Sequence, residues 1–478
     1  MATTTLLWLR RDLRLHDNPA LVAAAESDRL LPVYVFDRDH YGTADFGGAA
    51  SFTYEKTGGR RLRFRIESVA DLRSRLRDRG SDLVVRVGDP EAVLSTLADR
   101  VDADAVHVHT RPTPEERAVE RTVETAVDAD LVRHWGHTLY QPDDLPNGVS
   151  AVDDTYTPFR KAVEADATVR DPLGTPTLPE RPAVDPGDLP AAADLGVEAG
   201  PNDEHEERRD SGSRAALTFD GGEIAGLDRL DEYLWDADAL REYKETRNGL
   251  CGRNYSSKFS PWLNEGCLSP RRVNATIDEY EDRRVANEST YWLRFELRWR
   301  DFFQFQFAKH GGTFFTPGGI RRRDIDWSTD IEAFDRWRRG ETGVPFVDAA
   351  MRELNATGYL SNRARQNAAS FLANDCRIDW RWGAAYFETR LIDYDPASNY
   401  GNWAYIAGVG NDSRNRSFDV LWQAHRYDPD ADYVRQWVPE LDDLPPDRAH
   451  EPWTLPAERR RALDYPAPML DPEAQYGD

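Results

Sequence analysis

At 478 residues, with 40% hydrophobic residues and 14 tryptophans, the chain is long enough for two or more domains, each burying its own core. A formal net charge of −24 is not the overall footprint of a nucleic-acid binder, which is usually basic. The three cysteines, Cys251, Cys267 and Cys376, are widely spaced and odd in number, which argues against a disulfide framework, a CxxC metal site and a four-cysteine cluster, so no metal is expected. Only Lys56, Lys161, Lys244, Lys258 and Lys309 are lysine among 61 basic residues. Acidic, lysine-poor, arginine-rich composition resembles that of proteins from salt-accumulating halophiles, where molar salt screens surface charge to within about 3 Å. Nucleic acid then stays open as a partner through local basic patches. The N-terminus MATTTLLWLRRDLRLHDN lacks a leader pattern and no run of 18 apolar residues occurs, so a soluble, cytoplasmic protein with no membrane partner is expected.

Residues 1–135 alternate short apolar runs (Thr5–Leu9, Leu31–Phe36, Leu83–Val87, Ala105–Val108) with helical patterns (Ala20–Ala25, Arg60–Arg79, Pro90–Ala98, Pro114–Val127). This βαβ order predicts a doubly wound parallel sheet. No G-x-G-x-x-G follows the first strand, so a dinucleotide site is not supported. Arg10, Arg11, Asp12 and Arg14 read as a salt-bridged loop after that strand. Residues 136–212 form an interdomain connector, acidic and Pro-rich at 171–210 and ending in DEHEERRD, which predicts a mobile or extended segment. From 213 to 478 strand signals vanish and helices are predicted at Gly222–Leu234, Pro270–Tyr280, Glu288–His310 and Ile331–Arg339, an all-helical domain. The fold class is thus α/β followed by all-α.

Three stretches of the helical part carry chemistry. Tyr255-Ser256-Ser257-Lys258-Phe259-Ser260-Pro261 is a hydroxyl-rich turn entering a helix; it suits a diphosphate, or is simply a serine-rich cap. Glu296, Trp299 and Arg300 fall at i, i+3 and i+4, one face carrying a carboxylate, an indole and a guanidinium; a surface Glu–Arg pair beside a core Trp is the plainer alternative. In 342–412, Val347, Ala350, Met351 and Leu354 predict a helix closed by Gly358, and Asn362, Arg365 and Gln366 share one face of the next. A helix over Trp382–Leu391 then ends at the turn Asp393-Tyr394-Asp395-Pro396, after which Asn399, Asn402, Trp403 and Tyr405 crowd a predicted Gly-rich loop. Such density of Asn, Asp, Arg and Trp is either a polar helix junction with paired buried charges or the lining for a large planar cofactor.

Resemblance separates these readings. LWLRRDLRLHDNPAL and EKTGGRRLRFRIESVADLRSRL resemble the antenna domain of the photolyase/cryptochrome family, and YSSKFSPWLNEGCLSPR, TGYLSNRARQNAASFL, IDWRWG and LIDYDPASNYGNWAYIAGVGND its flavin-binding core. The wording YDPASNYGNWAYIAGVGND is closest to the DASH cryptochrome branch. The resemblance covers nearly the whole chain except residues near 171–210, and it implies an α/β antenna domain (1–135) and a helical FAD-binding catalytic domain (213–478). It implies FAD held by Tyr243, Ser256, Ser257, Lys258, Phe259, Ser260, Arg300, Asn362, Arg365, Asp393, Asp395 and Asn399, with Arg365 and Asp393 as an ion pair beside the ring and Asn399 facing its N5. A lesion pocket is implied at Glu296, Trp299, Asn362, Gln366 and Tyr405, and an electron-transfer series at Trp403, Trp380 and Trp327, with Trp382 either an extra relay or core. Asn362 and Gln366 stand where (6-4) photolyases carry histidines, and Gln366 and Tyr405 replace the Met and Trp of conventional cyclobutane-dimer photolyases, as in DASH proteins.

The implied activity is that of a deoxyribodipyrimidine photolyase, a lyase: blue-light-driven repair of cyclobutane pyrimidine dimers, chiefly in single-stranded DNA. The alternative is a blue-light photoreceptor or transcriptional regulator with the same cofactor. Methenyltetrahydrofolate is the expected antenna, with Glu115 or Glu116 as candidates to hold it; a deazaflavin, or no antenna, is the alternative. DNA and a monomeric state complete the expectation.

The charge yields the first prediction. Flavin retention and the thermal unfolding midpoint should rise between dilute buffer and 2 M KCl; an equal midpoint in both would mean that self-repulsion is not what the acidity imposes.

Overall fold

The computed structural model describes residues 2–46, 52–197, 214–412 and 417–476. Its strands are β1 (Thr4–Leu9), β2 (Arg29–Phe36), β3 (Thr43–Phe46), β4 (Phe52–Glu55), β5 (Val84–Val87), β6 (Ala105–His109) and β7 (Asp130–His134). Five of them form a parallel sheet in the order β5-β2-β1-β6-β7, while β3 and β4 make a separate antiparallel pair. Central β1 is buried at all six positions, as a strand covered on both faces must be. The helices of this half are α1 (Pro19–Ala24), α2 (Gly59–Arg77), α3 (Pro90–Val101) and α4 (Pro114–Ala126). β1 alternates: Leu6 and Trp8 pack with Leu31, Val106 and Leu94 on one face, whereas Leu7 and Leu9 join a core continuous with the helical half.

The sequence did not reveal β7, β3 or β4. β7 (DLVRH) is an edge strand, exposed or half-exposed at every position, so selection for burial left no apolar pattern. The connector is more ordered than a mobile linker. It contains α5 (Tyr156–Asp166), which buries Tyr156, Phe159 and Val163. Beyond it the chain runs extended along the sheet: Leu30 N–H donates to the Glu180 carbonyl (3.0 Å), Val85 N–H to that of Pro186 (2.8 Å), and Val184 enters the sheet's core. The acidic run 203–210 lies outside the described residues.

The second half is helical: α6 (Glu223–Asp231), α7 (Tyr243–Thr246), α8 (Ser260–Glu265), α9 (Pro270–Arg283), α10 (Glu288–His310), α11 (Ile331–Arg339), α12 (Pro345–Thr357), α13 (Asn362–Ser370), α14 (Trp380–Arg390) and α15 (Pro396–Ile406) precede the C-terminal helices, the first of which is α16 (Val420–Tyr427). Local caps set these boundaries. Asn287 accepts from the N–H groups of Ser289 and Thr290 to start α10, and Gly358, at φ 74°, closes α12. The expected loop holding Asn399, Asn402, Trp403 and Tyr405 is instead α15. Asp395 caps it by accepting from Ser398 N–H, and Pro396 occupies its first turn, a start signal that outweighs the helix-poor run ASNYGN. Among the described residues no helix is long and apolar enough to cross a membrane.

Buried polar pairs join the halves. Arg271 on α9 grips Asp17 through Nε (3.0 Å) and Nη2, with both side chains nearly inaccessible, and Arg65 on α2 pairs with Glu265 on α8 (2.7 Å). Arg14 donates to the carbonyls of Gly266 (2.9 Å), Gly136 (2.9 Å) and Asp17 (3.0 Å). The loop after β1 is thus salt-bridged, as its sequence suggests, and also serves as the docking face for the helical half. Arg271→Met should strand the Asp17 carboxylate and cost about 3–5 kcal/mol of stability, read by denaturant unfolding; a loss below 1 kcal/mol would mean that water reaches Asp17.

Candidate functional site

Residues of α13, α14 and α15, the turn before α15 and the start of α8 line a cleft of about 220 Å³ that is open to solvent. Ser260, Asn362, Arg365, Gln366, Asp393, Asp395, Asn399 and Trp403, all singled out in the sequence, line it. Tyr359, Leu360, Phe387 and Leu391 supply apolar wall that sequence reading missed, because they look like ordinary core positions. Arg365 Nη2 meets Asp393 Oδ2 at 2.8 Å, and Ser260 Oγ donates to the same oxygen at 2.6 Å. Burial would lower the Arg365 pKa, but Asp393 overcomes it and holds the guanidinium charged. Asp393 Oδ1 is buried with no partner among the described residues, an acceptor left for something in the cleft. Asn399 Nδ2 donates to the Ala384 carbonyl (3.0 Å), which fixes its amide.

Asp395 sits where the sheet order reverses between β1 and β6, the crevice that doubly wound folds use for ligands. Here the start of α15 fills it. Asp395 accepts from Ser398 N–H (2.8 Å) and Gln304 Nε2 (2.8 Å), with Arg111 Nη1 at 3.4 Å and Arg11 Nη2 at 3.9 Å. Burial would raise its pKa, yet Arg11, Arg111 and Arg300 hold it below the ordinary carboxylate value. Arg300 does not line the cleft: its guanidinium donates to the carbonyls of His137 and Leu263 at the domain junction.

The loop before α8 departs from expectation at Lys258. Its backbone is left-handed (φ 55°) and its amino group turns inward, to the carbonyls of Arg253 (2.9 Å) and Gly252 (3.3 Å) and over the Tyr255 ring. Burial lowers its pKa to about 6. Phe259 is buried in the core and Tyr243 is buried on α7, while Ser256 and Ser257 are half-exposed and the Tyr359 hydroxyl bonds Ser256 and Ser260. Among the described residues, no backbone N–H from Leu250 to Ser260 finds an acceptor.

Glu296, Trp299 and Tyr405 lie beside the cleft rather than in its wall. Glu296 is ion-paired with Arg247; burial raises its pKa against that pairing. One face of Trp299 is already covered by Tyr156, parallel at 3.7 Å, and its edge meets Tyr405 at 6.0 Å. Gln366 Oε1 accepts from Arg363 (3.2 Å). Of the three tryptophans proposed as a series, Trp403 lines the cleft, and Trp380 and Trp327 share one acceptor. Trp403 is walled by Phe387 and Trp337, Trp380 is fully buried, and half-exposed Trp327 donates to the same Pro317 carbonyl as Trp380 (3.2 and 3.1 Å). Trp382 packs edge-on against Phe334 in the core. Of the two antenna candidates, Glu116 is buried with Arg11 and Thr113, whereas Glu115 is exposed beside Lys56. Among the described residues no group of three or more His, Cys, Asp or Glu is placed to hold a metal ion.

Flat aromatic walls, an unmatched carboxylate oxygen and a run of free amides at Leu250–Ser260 fit a large, planar, phosphate-bearing cofactor such as FAD. Comparison with known proteins agrees. Residues 292–477 match the model of the FAD binding domain of DNA photolyase, and residues 5–182 that of DNA photolyase. The chain is 56% identical to a cryptochrome DASH of Natronomonas pharaonis, covering 99% of each chain, and 50% identical to one of Gloeobacter violaceus, covering 98% of this chain and 93% of the relative. The crystal structure of a Synechocystis cryptochrome superposes with a TM-score of 0.92 at 41% identity, over 99% of this chain and 98% of that one.

Gly383 on α14 lets Trp403 approach. A methyl there would lie 2.6 Å from Trp403 Cζ3 and 2.7 Å from Leu372 Cδ2. Gly383→Ala should therefore displace the indole, cost about 1–3 kcal/mol and shift the tryptophan fluorescence maximum; unchanged stability and emission would show that the ring can yield freely.

Proposed function

The chain belongs to the photolyase/cryptochrome family, in its DASH branch, and from that premise we propose that it repairs cyclobutane pyrimidine dimers, chiefly in single-stranded DNA. It is a flavin-dependent photolyase/cryptochrome. When bound, reduced FAD supplies, under blue light, the electron that opens the cyclobutane ring and then recovers it. The observation that carries the reading is the meeting in one cleft of Asn362, Gln366, the Arg365–Asp393 pair and Trp403. The two amides offer hydrogen bonds to pyrimidine carbonyls without a charge to neutralise, and neither supplies the acid that (6-4) chemistry needs. Glu296, whose pKa burial raises against its pairing with Arg247, is the carboxyl beside the cleft that would meet a dimer carbonyl. Arg365, Asp393 and Asn399 would hold the flavin ring, and Trp403, Trp380 and Trp327 would pass electrons toward it from the surface.

Strand preference follows from the binding energy at hand. Tyr156 takes one face of Trp299, and Tyr405 stands edge-on beside it, which leaves less ring face for a flipped base. Base–aromatic stacking is worth about 1–3 kcal/mol, and extruding a dimer from a duplex costs a few kcal/mol but far less from a strand already single. Single strands therefore win. The covered Trp299 face also favours the second reading, a blue-light photoreceptor with little repair. As antenna we propose methenyltetrahydrofolate, with Glu115 as its carboxylate, since Glu116 is committed to Arg11. The protein acts as a cytoplasmic monomer.

Under blue light in high salt, a thymine dimer in a single-stranded oligonucleotide should disappear at least tenfold faster than in a matched linear duplex. Glu296→Ala should slow that loss at least tenfold while flavin content stays intact. Equal rates on both substrates would refute the strand preference, and no repair of either would give the case to the photoreceptor.

A further inference from the structure

Two buried side chains from outside the cleft converge on the loop that precedes α8. Arg229 on α6 donates through Nε to the Ser257 carbonyl (3.1 Å), through Nη1 to Asn254 Oδ1 (3.0 Å), and through Nη2 to the carbonyls of Arg253 and Ser256 (both 3.4 Å). Lys258 donates to the carbonyls of Gly252 and Arg253 from the other end of the same loop. Arg229 is 3% exposed and Lys258 2%, so neither contact is a chance surface pairing. Glu232 bridges Arg229 (3.1 Å) and Arg253 (2.7 Å), which ties the loop's outer strand to α6.

A trans peptide is planar, with its C=O and the following N–H pointing in opposite directions. Holding the carbonyls of Gly252, Arg253, Ser256 and Ser257 therefore turns the N–H groups of Arg253, Asn254, Ser257 and Lys258 away from the two donors. Those N–H groups have no acceptor among the described residues. The left-handed φ at Lys258 is unfavourable for a residue with a Cβ, and the inward amino group is what holds it. Successive amides facing one way make an anion-binding concavity.

We infer that Arg229 and Lys258 are positioning residues that hold this loop's carbonyls so that its amides face the diphosphate of FAD, and that they thereby give the site its preference for FAD over a flavin without phosphates. The inference rests on the flavin reading above. Neither side chain touches the cofactor in this role; each acts through the backbone it fixes.

The test compares FAD with riboflavin, which carries the same ring and no phosphate, in binding to the full-length apoprotein. Lys258→Met and Arg229→Met should each weaken FAD at least tenfold while riboflavin affinity changes less than twofold. Lys258→Gly, which relieves the left-handed backbone but removes the amino group, should lose FAD preference as Lys258→Met does, and Lys258→Arg should restore it. An unchanged FAD-to-riboflavin ratio in the Lys258 variants would overturn the inference, as would an equal loss of both ligands. Should Arg229→Met not fold, the three Lys258 variants decide alone. Failure of the unmodified protein to bind FAD at all is a different result: it would sink the flavin reading itself.

Discussion

Asp395 accepts at once from the first turn of α15, from Gln304 on α10 and from arginines that follow β1 and β6. Each contact on its own is ordinary. Together they fix the start of α15 against the end of the parallel sheet, and α15 carries Asn399 and Trp403 into the cleft. Moving Asp395 would shift a helix start, a domain contact and a cleft wall as one body. A carboxylate so deeply buried survives as an anion only because three guanidiniums surround it, and those guanidiniums tolerate each other only because it is there.

The composition reflects the same demand. Arginine rather than lysine fills the buried basic positions, with Arg14, Arg61, Arg65, Arg111, Arg229 and Arg271 all buried. A planar guanidinium with five donors can satisfy several carbonyls in fixed directions, which an ammonium does less well. Arg14 and Arg229 do this with three and more partners each. Lys258 is the exception, and it needs a strained backbone and an aromatic face to stay buried. The scarcity of lysine therefore has an interior cause alongside the acidic surface.

Much of this was legible in the sequence where periodicity and caps act locally. Glu288–His310 and Ile331–Arg339 fell at their predicted ends, because Asn287, Asp330 and Gly340 mark them. Arg365 and Asp393 were legible as partners only through resemblance, since a separation of 28 positions hides the contact from any local rule. α15 was misread as a loop because its glycine and asparagines suggest a turn, while the decisive signal was the Asp-Pro start. Lys258 misled for a different reason: no spacing rule says which way a side chain leaves a loop, and a left-handed lysine has no signature. Tyr359 and Phe387 look like core in sequence and are core on one side; the cleft is on the other.

Where the α/β half meets the helical half, Arg11, Arg14, Asp17, Arg65 and Arg111 are set among the apolar side chains of a core that both halves share. During synthesis that face is finished long before its partners exist. At about 5–20 residues per second, the chain from the connector onward needs on the order of tens of seconds to appear. Through that interval the nascent half shows water a row of charges among its apolar side chains, and these charges hydrate well and interrupt the unbroken apolar face that would recruit other chains. The desolvation cost falls due only at docking, when Arg271, Glu265 and Asp395 arrive to offset it. A charged seam thus lets the first half wait in solution for the second.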